Sequence, residues 1–210
     1  MRTLNLIFVS FLMIGLSMDS IAGSGIFQTY IVFDLNSAGN AFYAGGINND
    51  ASATYDEFAF GTPTSLTLNG GEVKTYKNGI SDVFGATIFY RIYSAGSPSG
   101  IFATISLPFD ANLANPGDQK WKEEFAGVDV LSGLAPGNYT LEVYWEAPSS
   151  DGTHFDTDFG NNFQGHFTVA AASPVPTLSE WGLIMFGLIL LCTGAVVVWR
   201  QTYIVKRAIA

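Results

Sequence analysis

The chain carries one cysteine, Cys192, in 210 residues, and only nine Lys and Arg against 18 Asp and Glu. A single thiol excludes a disulfide-stapled scaffold. The shortage of bases sharpens between Gly23 and Ala172. All acids except Asp19 and Glu180 fall there, against Lys74, Lys77, Arg91, Lys120 and Lys122, for a net charge of −11. Nucleic acid needs a basic footprint and is excluded as a partner. Helical periodicity of useful length is also missing from this stretch, apart from a candidate turn at Gln119 to Phe125. So is a nucleophile signature: no serine sits in a G-x-S-x-G turn, and His154 and His166 have no cysteine partner. The chain is therefore read as non-enzymatic.

What it does have is two long apolar runs, one at each end. Leu4 to Leu16, after Arg2, is interrupted only by Asn5 and Ser10, and Ser20-Ile21-Ala22 places small residues at alternate positions behind it. Such a run falls short of the about 20 residues that cross a bilayer core. It has the form of a secretory signal peptide spanning 1–22, cleaved between Ala22 and Gly23. The second run, Trp181 to Trp199, contains no charge and is bracketed by tryptophans, the side chains that settle at membrane interfaces. A transmembrane helix is expected over 181–199. Arg200, Lys206 and Arg207 follow it, and the positive-inside rule then keeps the C-terminus in the cytoplasm and the main domain outside.

Just ahead of that run stands Val175-Pro176-Thr177-Leu178-Ser179-Glu180-Trp181-Gly182, reached through a linker over 170–174. Pro174 and Pro176 favour an extended strip outside the membrane, while Ser179 and Glu180 also suit a helix start. The segment 175–207 resembles the IPTL-CTERM sorting domain, a relative of the PEP-CTERM signals, with Val175 where that family usually has isoleucine. The resemblance implies processing by an exosortase-like membrane transpeptidase in a Gram-negative envelope, and delivery to the cell surface or extracellular matrix. It makes this chain the substrate, with no catalytic residue of its own.

The middle, 23–169, reads as one all-β extracellular domain. Gln28–Leu35, Glu72–Tyr76, Thr87–Tyr93, Ile101–Phe109 and Gly165–Val169 are strand candidates bounded by Gly, Asn, Pro and Ser. The second and third of the longer ones form a hairpin through 95–100. In Tyr139-Thr140-Leu141-Glu142-Val143-Tyr144-Trp145, the odd-numbered residues share one face. Leu134, Gly137 and Tyr139 at the start of this strand resemble the tyrosine corner of immunoglobulin-like and fibronectin-III-like sandwiches. The expected fold is a Greek-key, Ig-like β-sandwich.

Candidate chemistry is confined to loops. Asp151, Asp156, Asp158 and Asn161 supply hard oxygens for a calcium ion, without EF-hand spacing, and a solvated Asx-rich turn accounts for the same residues. A second Gly/Asn/Asp-rich stretch, Asp34 to Asp50, reads first as turns. Zinc on the two histidines with Asp156 follows no zinc pattern. Tyr43, Tyr55 and Tyr144 are candidates for a sugar-stacking platform, which would make a surface polysaccharide a partner alongside other matrix proteins.

Overall fold

The computed structural model describes residues 23–46, 53–172 and 178–208. The chain divides into two compact units, Met1–Ala171 and Ala172–Ala210. Among the described residues of the first unit, every helix or strand element is a strand. In chain order these are β1 (Gly23–Leu35), β2 (Asn40–Ala44), β3 (Phe58–Gly61), β4 (Leu66–Asn78), β5 (Ala86–Ser94), β6 (Ala103–Leu107), β7 (Phe109–Asn112), β8 (Gln119–Glu123), β9 (Val128–Asp129), β10 (Gly137–Ser149), β11 (Gly152–Asp156) and β12 (Phe163–Val169).

They form two six-stranded sheets. One runs β2-β1-β4-β8-β7 with β9 on β4; the other runs β3-β12-β10-β5-β6 with β11 on β10. Pairing is antiparallel except for β3, which runs parallel to β12. The chain crosses between sheets from β2 to β3, from β3 to β4, from β4 to β5, from β6 to β7 and from β9 to β10, so the expected β-sandwich is what the strands build. The inward residues of β10, Leu141, Val143 and Trp145, are fully buried and meet Ile31, Phe33, Leu66 and Val73 of the facing sheet in one core cluster. Phe33 packs edge-on to Phe60 at 5.0 Å, and Tyr43 to Phe58 at 4.8 Å, an offset geometry that suits the ring quadrupoles.

Three local expectations are corrected. The candidate helical turn at Gln119 to Phe125 contains strand β8, because Gln119 and Trp121 alternate inward while Trp121 Nε1 donates to Thr75 Oγ1 at 3.1 Å. The single strand read over Ile101–Phe109 is divided at Pro108. Proline has no N–H for a ladder, so β6 stops and Phe109 joins the other sheet opposite Trp121. Ile101, at the head of that run, lies before β6 and is 93% exposed. The strand read as Glu72–Tyr76 extends over the whole of β4, helped by Gly70 and Gly71, since a Cβ on Gly71 would lie 2.3 Å from the Tyr30 carbonyl oxygen.

Candidate functional site

The second unit holds the sorting segment. Its helix α1 spans Leu178–Ala208 with Glu180 in the first turn, where a carboxylate meets the positive end of the helix dipole. Val175, Pro176 and Thr177 lie outside the described residues. Leu178 to Gly182, expected to be part of an extended strip, are the first residues of the helix. This is the helix start that Ser179 and Glu180 also allowed, lying beyond the last proline. The stretch Glu180–Arg200 is long and apolar enough to cross a membrane. Its large apolar side chains, Trp181 and Trp199 included, are exposed, so it is not the core helix of a packed domain. Thr193 returns its hydroxyl to the Ile189 carbonyl at 2.9 Å, so this hydroxyl has its partner within the helix. Arg200 ends the span, and Lys206 and Arg207 lie further along the same helix rather than on a separate tail. Cys192 is unbridged and exposed on this helix.

At one pole of the sandwich, the turn between β10 and β11 closes on the start of β1. Ser24 donates its N–H to Asp151 Oδ2 at 2.9 Å and its hydroxyl to Asp151 Oδ1. Ser149 Oγ donates to the same Oδ1 at 2.7 Å, and His154 Nε2 lies 2.9 Å from Ser24 Oγ. These donors hold the Asp151 carboxyl far below the usual carboxylate range, led by the Ser24 hydroxyl. Serine, histidine and aspartate thus meet, but in the wrong order for a nucleophile. A triad needs the acid on one imidazole nitrogen and the serine on the other. Here Asp151 accepts the serine hydroxyl's hydrogen bond directly and approaches the same Nε2, at 3.9 Å. The arrangement fastens the first strand to a turn 127 residues away.

Asp156 sits apart from this cluster, about 16 Å along an extended strand from Asp151 at the usual rise per residue. It is buried at the end of β11, accepts the Thr29 hydroxyl, and lies beside Gly45 and Trp145. Burial raises its pKa to about 6, against the lowering effect of Thr29. Asp158 and Asn161 close the following turn, Asn161 N–H donating to the Asp158 carbonyl at 2.7 Å. The four oxygen-bearing residues read as a calcium set are therefore distributed over a pole, a buried strand end and a turn. Among the described residues no group of three or more His, Cys, Asp and Glu is arranged to hold a metal ion. His154 and His166 face Ala147 and Thr140 on neighbouring strands, seven positions along β10 and so about 23 Å apart, which precludes a shared zinc. In the Asp34 to Asp50 stretch, Asp34 Oδ1 accepts the Gly39 N–H at 3.0 Å, closing the turn, and Asn36 Oδ1 accepts the Thr64 N–H at 2.8 Å, tying that turn to the loop before β4; Asn48, Asn49 and Asp50 lie outside the described residues.

The nominated aromatics divide likewise. Tyr43 and Tyr55 are buried, and Tyr55 gives its hydroxyl to the Leu141 carbonyl at 2.7 Å. They are core side chains, not a platform. Tyr144 is on the outer face of β10, but its ring stacks on Phe89 at 4.7 Å and 5° while Phe102 meets it edge-on. Beside it, Arg91 pairs with the buried Glu142 at 2.8 Å and lies over Phe102 at 4.5 Å. Nothing local in the sequence marks the Arg91–Glu142 pair; only the β5–β10 register, which places them opposite one another, brings it out.

At the foot of β10, Tyr139 Oη donates to the Ala135 carbonyl at 2.8 Å and its ring stacks on Phe167 at 5.6 Å. Leu134 packs against the core just before Gly137. Tyr139→Phe, which keeps the ring and removes this bond, is expected to cost about 1 kcal/mol in chemical denaturation. An unchanged midpoint would show that the hydroxyl does no stabilising work there.

Residues 173–201 match the IPTL-CTERM motif, and the likeness is confined to this C-terminal region. No curated protein matches the chain. The motif implies processing by an exosortase-like enzyme and association with a membrane. With the apolar helix it fits an exported, membrane-anchored surface protein that carries a C-terminal sorting signal.

Proposed function

We propose that this chain is led out of the cytoplasm by a signal peptide over 1–22, held by α1 with its sandwich outside, and processed at Val175–Gly182 by an exosortase-like transpeptidase. The sandwich then serves, without catalysis, in adhesion or assembly at the cell surface or in the matrix. The observation that carries this reading is the motif match over 173–201, continuous with an exposed apolar helix of membrane-spanning length. One further feature supports it. The serine–histidine–aspartate cluster ties strands together instead of activating a hydroxyl. The Tyr139 hydroxyl bond at the foot of β10 favours an Ig-like variant of the sandwich.

Deleting residues 173–210 in the native host tests the anchoring role. The expected outcome is loss of the protein from the membrane fraction and its recovery, folded, outside the cytoplasmic membrane. Retention of the shortened chain in the membrane fraction would contradict the proposal.

A further inference from the structure

The strands at the rims of the two sheets are not equally protected. β7 carries Asp110, paired with Lys120 at 2.7 Å, and its register with β8 shifts between Phe109 and Ala111. β3 pairs with β12 through a shift between His166 and Phe167 and ends in Gly61 at positive φ. β11 is bounded by Asp151 and closes on Asp156. Charges, bulges and irregular backbone are the devices that keep a sheet edge from recruiting another chain. β2 lacks them, but the 53–55 segment covers its end, where the Ala44 N–H donates to the Ala53 carbonyl at 2.9 Å and the Tyr55 N–H to the Ala44 carbonyl at 2.8 Å. β6 carries no charge or bulge, and Pro108 bounds it only at its end. Among the described residues it pairs with β5 alone, in unbroken register from Ala86↔Leu107 to Tyr90↔Ala103, and so leaves its far edge open. It lies inside Ile92 to Phe109, the longest run without a charged residue between Gly23 and Ala172.

We infer that β6 is a homophilic contact, pairing antiparallel with β6 of a second copy of this chain. This rests on the adhesion reading above and names its partner. Two features single out a second copy. In a domain of net charge −11, like charges oppose the approach of two copies nearly everywhere, and the charge-free edge is where that opposition is least. The edge is also complementary to itself. An antiparallel register centred on Ile105 sets Ile105 against its twin, Ala103 against Leu107, and Thr104 against Ser106. The inward pairs continue the apolar face that Ile105 and Leu107 already bury, while the exposed hydroxyl pairs continue the outer face.

The same geometry fixes what such a contact joins. The chain leaves the sandwich after Val169, which lies opposite Gly137 at the Ser94 end of β5, whereas Leu107 lies at the Ala86 end. Antiparallel pairing reverses one sandwich with respect to the other, so the two exits after Val169 point in opposite directions. The contact therefore suits copies held on facing surfaces better than neighbours on one surface. Five paired residues engage far fewer than the roughly 20–30 residues a side of a stable complex, so each contact is weak and acts through many copies.

The test uses the full chain reconstituted into phosphatidylcholine vesicles, with clustering read by turbidity and light scattering. Two double variants alter only exposed side chains: Thr104→Lys with Ser106→Lys, and Thr104→Glu with Ser106→Glu. Circular dichroism confirms that each keeps the wild-type melting midpoint. Wild-type vesicles are expected to cluster as protein density rises. Each variant alone sets like charge against like charge and is expected to lose clustering down to the level of empty vesicles. Mixing lysine vesicles with glutamate vesicles is expected to restore it. Wild-type vesicles that stay dispersed, a lysine variant that clusters as wild type does, or a mixture that stays dispersed would each overturn the inference. No sorting enzyme enters this assay, so its failure is separate from a failure of the processing proposal.

Discussion

Arg91→Ala is expected to destabilise the sandwich by about 3 kcal/mol, the cost of leaving a buried carboxylate without its counter-ion. Glu142 is only 5% exposed, and Arg91 reaches its Oε2 through both Nε at 2.9 Å and Nη2 at 2.8 Å. Without the guanidinium, the carboxylate keeps Asn162 Nδ2 at 2.7 Å, a neutral donor that cannot balance a charge. The same side chain covers Phe102 and reaches the Gly100 carbonyl at 3.4 Å, so its loss also releases the β5–β6 loop. Faster proteolysis near Ser97 to Gly100 is the expected companion effect. Adding Glu142→Gln to Arg91→Ala removes the stranded charge and should recover much of the loss. If the double variant is as unstable as the single one, packing of the arginine stem and not the ion pair carries the effect.

Asp156→Asn is expected to act in the opposite direction, stabilising the protein at neutral pH. In the folded chain the carboxyl holds its proton up to about pH 6, whereas unfolded it releases it near 3.8. A pKa raised by folding means that the native state binds the proton more tightly. Its contribution to stability is complete below pH 3.8, is lost as pH climbs to about 6, and stays lost above that. The shift corresponds to about 2 kcal/mol after allowance for residual solvent contact. Asparagine keeps an oxygen for the Thr29 hydroxyl but has nothing to ionise. Urea denaturation at pH 4 and pH 7 checks this: the variant should match wild type at the lower pH and exceed it by about 2 kcal/mol at the higher. Equal stability at both would place the carboxyl in contact with water.

Elements whose signal is local were legible in the amino-acid order. Alternation along Tyr139 to Trp145 marks the central strand β10, the Gly/Pro/Ser turn after Ser94 marks the β5–β6 hairpin, and the uncharged run from Trp181 marks α1. What escaped depends on the return of the chain from a distance. Asp151 to Asp158 is polar enough to read as a loop of calcium ligands, yet β11 folds back along β10 and carries Asp156 inward while Asp151 is taken up by Ser24. Tyr43 and Tyr55 have no alternating neighbours to announce burial, because they are enclosed by Phe33, Phe58 and Phe60 from other strands. The candidate turn at Gln119 to Phe125 misled because its lysines and glutamates look helical, and only pairing of Trp121 with Val73 settles it as strand. The sorting segment was the most legible feature because a linear motif is carried by consecutive residues and owes nothing to the sandwich.

The central claim, that the chain is exported and then processed at its C-terminal motif, is tested most directly by intact mass spectrometry of the protein recovered from its native host, fraction by fraction. The account predicts a species that begins at Gly23 and ends within or beside Val175–Gly182, with α1 removed. A species in every fraction that retains its sequence to Ala210 would contradict processing and leave a single-span membrane protein in its place.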